Sequence, residues 1–62
     1  MNPKPEQIKA ARQRAGLSQR AAGELIYRSL RTWQDWEYGY SPMDRALWEF
    51  WNIKATALKE LA

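Results

Sequence analysis

The sequence predicts a small all-α protein, a compact bundle of four to five short helices. Apolar residues recur at spacings of three and four along most of the chain, the signature of a helix with one buried face. The segments carrying that pattern are punctuated by residues that start helices (Ser18, Ser29, Ser41) and by glycines that end them (Gly16, Gly39). No stretch alternates with the period of two that marks a strand.

The first helix is expected over about 5–15. Pro5 suits a first helical turn, Glu6 the positive end of the helix dipole, and Ile8, Ala11 and Ala15 share a face. Gly16 reads as its terminating residue. Ser18 is then an N-cap for a second helix over about 19–26, whose apolar side is Ala21, Ala22, Leu25 and Ile26. Tyr27 and Arg28 form a short break. Ser29 caps a third helix over about 30–38, ended by Gly39, with Trp33 and Trp36 on its buried face and Arg31, Gln34, Asp35 and Tyr38 on the other. Ser41-Pro42 followed by Asp44 reads as N-cap, first position and acidic first turn of a fourth helix, about 42–52. Its apolar stripe is Met43, Ala46, Leu47, Phe50 and Trp51, with Trp48 lying off it. The tail, 55–62, either extends this helix or forms a fifth one through Ala55, Leu58 and Leu61.

Sixty-two residues make one domain at most, near the lower limit for independent folding. With no Cys and no His, disulfides and an ordinary structural zinc site are excluded. Stability must come from helix packing, from four Trp, three Tyr and one Phe, and from oligomerisation. There is no 18-residue apolar run and no signal-peptide pattern at the N-terminus, so a cytoplasmic protein is expected. Enzymatic activity is not expected. His and Cys are absent, the carboxylates are scattered, and no cofactor, metal or small-molecule ligand is implied. The net charge of +3 is uneven. Residues 1–31 hold seven Lys or Arg against two Glu, and residues 32–62 hold three against five acidic groups. A basic half on a small domain points to a polyanion partner.

Two short helices joined by a tight turn, the second capped and polar on its outer side, form a helix-turn-helix. The segment Leu17 to Gly39 resembles the Cro/C1-type (XRE-type) helix-turn-helix family of phage and bacterial regulators. The likeness lies in L-S-Q at 17–19, Glu24 and Ile26, Ser29, Thr32, and W-x-x-W-E-x-G at 33–39. The helical plan over about residues 5–52 fits the same family. The resemblance implies a lambda-repressor-like fold and a motif at about 18–38. The opening of helix 3 would enter the major groove of duplex DNA, presenting Leu30, Arg31 and Thr32, then Gln34 and Asp35. Gln19 stands where family members contact a phosphate or brace a base-reading side chain. Arg12 and Glu37 stand where the family often has a structural salt bridge.

The chemistry of these residues agrees with such roles. Arg31 can pair with guanine O6 and N7, and Gln34 with adenine N6 and N7. Leu30 either meets a thymine methyl group or packs on helix 2. Asp35 either accepts from a cytosine amino group or, as we prefer, orients Arg31 one turn away. Ser18, Gln19 and Arg20 at the start of helix 2 suit a phosphate, and Arg14, Arg28, Tyr38 and Tyr40 add backbone contacts. The chain departs from the family where Tyr27 replaces the usual turn glycine, where Arg28 replaces a buried aliphatic residue, and where Gly23 replaces a small Ala. The turn then either strains Tyr27 or takes another shape.

The expected function is therefore that of a dimeric transcriptional regulator, a repressor of the phage Cro-like or anti-CRISPR-associated autoregulator type, reading an inverted-repeat operator. The alternative is an antitoxin-like or inhibitor-type protein-interaction module that keeps the fold without reading DNA. A homodimer through helix 4 and the tail is expected, with Trp48, Trp51, Leu58 and Leu61 at its interface.

Overall fold

A computed structural model describes residues 1–61. Four helices follow in order: α1 (Pro5–Ala15), α2 (Gln19–Glu24), α3 (Leu30–Tyr38) and α4 (Arg45–Leu61). Among the described residues there is no strand, and no helix is long and apolar enough to cross a membrane. The protein is all-α, as the periodicity predicts. The tail continues α4 rather than making a fifth helix, and Ala62 lies outside the described residues.

The helix ends explain the boundaries. Pro5 opens α1, and the Gln7 side chain accepts a hydrogen bond from the Lys4 backbone amide at 2.8 Å. Ser18 and Ser29 cap α2 and α3 by accepting from the Ala21 and Thr32 amides at 3.0 and 3.2 Å. At the other ends the chain makes the same left-handed closure three times. Gly16 and Leu17 donate to Gln13 and Arg12, and Gly39 and Tyr40 donate to Trp36 and Asp35. Tyr27 and Arg28 donate to Glu24 and Gly23 in the same pattern. The first two use glycine at φ 72° and 81°; the third uses Tyr27 at φ 61°. The turn thus keeps its shape and Tyr27 accepts a strain of about 1 kcal/mol.

That closure corrects helix 2. It ends at Glu24 rather than at Ile26, because Ile26 and Tyr27 donate to the carbonyls three residues back. The Ala22 carbonyl is met instead by the indole Nε1–H of Trp51, at 2.9 Å. One hydrogen bond therefore satisfies the end of α2 and fixes α4 against it.

Helix 4 is also corrected. Ser41-Pro42 does not start it. The Ser41 amide donates to the Asp35 carbonyl and still belongs to the closure of α3. Met43 is fully buried before any helix begins, and Asp44 is the cap, its carboxylate accepting from the Ala46 amide at 2.9 Å. The inward face is accordingly Leu47, Trp48, Trp51 and Ala55. Ala46 and Phe50, expected inside, are exposed. Trp48, expected off the stripe, stacks parallel on Trp51 with ring centres 6.1 Å apart.

The core is an aromatic chain wrapped in small aliphatic residues. Trp36, Trp33, Trp51 and Trp48 follow one another with ring centres 5.6, 5.3 and 6.1 Å apart. Ile8, Ala11, Ala22, Ile26, Met43 and Ala55 pack around them. A buried indole removes about 150–250 Å² from water, or about 4–6 kcal/mol of gross transfer energy. Trp33 and Trp51, fully enclosed, are the largest contributors.

Gly23 sits where two chain segments touch. A Cβ built there would lie 3.0 Å from the Arg28 carbonyl oxygen and 3.1 Å from that of Ser29. Alanine in place of a helical glycine ordinarily stabilises by about 1 kcal/mol. Here Gly23→Ala should instead lower the melting temperature, because backbone atoms of the turn must shift. An increase in melting temperature would show that the turn has room to move.

Candidate nucleic-acid interface

The side chains on the outer surface of the α2–α3 pair are held by a buried carboxylate beneath them. Glu37, on α3, has a side chain only 2% exposed. Arg12 on α1 grips it in a fork, Nε donating to Oε2 at 2.6 Å and a terminal nitrogen to Oε1 at 3.2 Å. The other terminal nitrogen of Arg12 donates to the Leu17 carbonyl at 3.1 Å, tying down the α1–α2 loop. Trp33 Nε1–H donates to Oε2 from one turn earlier in α3. Gln19 Nε2, in the first turn of α2, donates to Oε1 at 3.2 Å. Burial pushes the Glu37 carboxyl up, but the hydrogen bonds from Arg12, Trp33 and Gln19, with the Arg12 charge, outweigh it. The net effect holds the group below its ordinary 4.5. The Arg12–Glu37 pair expected from the sequence is present. The Trp33 donor stands one helical turn before Glu37, a spacing that permits the contact, whereas nothing in the spacing of residues 19 and 37 announces the Gln19 donor.

Gln19 carries the arrangement outward. Its Oε1 accepts from Gln34 Nε2 at 3.2 Å, and its Nε2 also lies 3.4 Å from the Tyr38 hydroxyl. Gln19 thus braces Gln34, one of the side chains of α3 expected to read a base. Tyr38 in turn meets Tyr40 edge to face, with ring centres 6.1 Å apart. Arg31 is 84% exposed, and its Nε donates to Asp35 Oδ1 at 3.1 Å, the orienting contact preferred from the sequence. Thr32 is half-buried, and its hydroxyl faces that of Ser29 at 3.1 Å. Leu30 is half-buried, and Ser18, Arg20 and Arg28 are exposed at the helix starts and the turn.

Two expectations need correction. Arg14 is not part of this surface. It stands two residues beyond Arg12, about 200° round the helix, and lines the groove between α1 and α4 with Thr56 and Lys59. Trp51 is not free for a partner subunit. It is 1% exposed, enclosed by its own protomer and bonded to the Ala22 carbonyl. Trp48 is half-buried against it, so of the four residues expected at an interface only Leu58 and Leu61 present open apolar surface, 44% and 85% exposed. The open face of α4 runs instead through Phe50, Ile53, Ala57 and Leu61. Lys54 lies beside it, its ammonium 4.7 Å from the Tyr27 ring centre and 5.3 Å from that of Phe50.

No family model matches the chain. A type II methyltransferase, M.MspI of Moraxella sp., is 43% identical over 51 residues. The match covers 82% of this chain but only 12% of the methyltransferase.

Glu37→Ala should lower stability by about 3 kcal/mol, since it leaves the Arg12 guanidinium without its buried partner. Glu49→Ala removes only an exposed pair with Arg45 and should change little. Because the folded carboxyl titrates lower than the unfolded one, the Glu37 contribution is complete above about pH 4.5 and is lost as pH falls through the folded value. Thermal melts of both variants at neutral and acid pH check this. The wild-type advantage over Glu37→Ala should shrink on acidification, and equal melting temperatures for the two variants at neutral pH would refute the pairing.

Proposed function

We propose that the chain is a sequence-specific DNA-binding protein that inserts α3 into the major groove and acts as a transcriptional regulator, working as a two-fold dimer on an inverted repeat. The observation that carries this reading is the bracing of Gln34 by Gln19 across the two helices, beside an exposed Arg31 aligned by Asp35. A base-reading side chain whose direction is already fixed loses less conformational freedom on binding. The Gln19–Gln34 bond runs between two helices, unlike the exposed one-turn pair Arg45–Glu49, which lies within one helix. Arg31 offers two donors suited to guanine O6 and N7, and Gln34 an amide suited to adenine N6 and N7. Arg20, in the first turn of α2, and Arg28, in the turn before α3, are exposed and offer positive charge for phosphates.

The match to a small part of M.MspI supports reading the chain as a unit that also occurs joined to other domains. A unit of this size presents one recognition helix, which spans only a few base pairs. A second copy supplies another helix one DNA turn away, about 34–36 Å. The second copy seats on the open face of α4, where Phe50, Ile53, Ala57 and Leu61 follow the three-and-four spacing of helix-to-helix packing. Paired antiparallel about Ile53, the two helices bring Arg45 of each near Glu60 of the other.

Titrations on duplexes tiled across the chain's own operon, over a salt series, test the reading. Binding should be sequence-selective, weaken steeply with salt, and place two chains on each site. Arg31→Ala should cost about 1–3 kcal/mol and relax selectivity at one base pair, whereas Arg20→Ala should weaken all sequences alike and flatten the salt dependence. Ile53→Glu should leave one chain per site. An absence of sequence preference at every salt concentration would refute the regulator and favour a protein-interaction module.

A further inference from the structure

We infer that Glu37 is a positioning residue for base selection: through Gln19 it sets which end of the Gln34 amide faces the DNA. The inference rests on the DNA-reading function proposed above and adds a residue that never touches a base. An ionised carboxylate accepts hydrogen bonds and donates none. The Glu37 oxygens take two from Arg12, one from Trp33 and one from Gln19. Gln19 is therefore obliged to turn its amide nitrogen inward, and its oxygen is left facing Gln34. Gln34 must answer with its own nitrogen, 3.2 Å away. With either amide reversed, two oxygens or two NH₂ groups would face each other at that distance.

The outward end of Gln34 is thereby decided. It offers Oε1 as an acceptor and its remaining N–H as a donor. The major-groove edge of adenine presents the complement, an N6 donor beside an N7 acceptor. Guanine presents two acceptors, O6 and N7, and would set its O6 against the Gln34 oxygen. A glutamine free to rotate could turn its NH₂ to either acceptor, so its bracing is what separates the two purines. Burial of Glu37 at 2% exposure keeps water from replacing Gln19 as the fourth donor.

Selection of bound duplexes from a library randomised across the site tests this, comparing wild type with Gln34→Ala, Gln19→Met and Glu37→Gln. Gln34→Ala identifies the position that Gln34 reads by losing preference there. At that position the wild type should favour adenine over guanine by about tenfold or more. Gln19→Met and Glu37→Gln should reduce that ratio to about twofold or less while leaving the Arg31 position unchanged. Loss of a phosphate contact or of general stability would lower affinity at all positions and would not move one base ratio. Should Glu37→Gln fail to fold, Gln19→Met decides, since it leaves the Arg12–Glu37 fork intact. An unchanged adenine preference in Gln19→Met, or a wild-type preference for guanine at that position, overturns the relay alone. A wild type that selects no sequence overturns the DNA-reading function, and the relay with it.

Discussion

A single buried carboxylate joins the fold to its outer surface. Glu37 receives donors from α1, from α2 and from its own helix, so three of the four helices meet at its two oxygens. The remaining guanidinium nitrogen of Arg12 holds the loop between α1 and α2. Isolated, such a charge would cost several kcal/mol to bury. Four donors on its two oxygens make it tolerable, and they also make it directional. The hydrophobic effect can gather α1, α2 and α3 in many rotations. The carboxylate accepts only one in which Arg12, Trp33 and Gln19 converge.

The tryptophans supply the energy that this polar centre directs. Trp33 belongs to both systems, its ring in the aromatic chain and its indole N–H on Glu37. Trp51 plays the matching part for α4, its ring against Trp33 and its N–H on the carbonyl left open by the early end of α2. A chain of 62 residues without disulfide or zinc site thus uses its two fully buried tryptophans twice, for apolar area and for a specific hydrogen bond. The open apolar face of α4 is what remains once Trp48 and Trp51 have turned inward.

Much of this is legible in the sequence, and the exceptions have physical reasons. Helices 1 and 3 can be read to the residue because Gly16 and Gly39 take the left-handed positions and Ser29 caps in the ordinary way. The end of helix 2 is hidden because Tyr27 occupies the position that glycine would have advertised. Ser41-Pro42 is misleading because the Ser41 amide is still engaged by Asp35, which pushes the start of α4 on to Asp44. A stripe counted from Met43 assumes that Met43 is helical. Starting the helix three residues later rotates Trp48 into the core and Phe50 out of it. In the candidate site, the Arg12–Glu37 pair and the bracing role of Gln19 follow from the family resemblance. The link from Glu37 to Gln19 does not, because residues 18 positions apart declare no contact until the helices are packed.

If Glu37 is the centre through which the helices are oriented, its coupling to Arg12 must be large and specific. A double-mutant cycle with Arg12→Met and Glu37→Met, read by chemical denaturation, measures it most directly. Each single variant leaves a buried charge unpaired, whereas the double variant leaves none. The coupling should be about 2 kcal/mol or more, with the double variant no less stable than the weaker single one. Effects that add to within about 0.5 kcal/mol would contradict it.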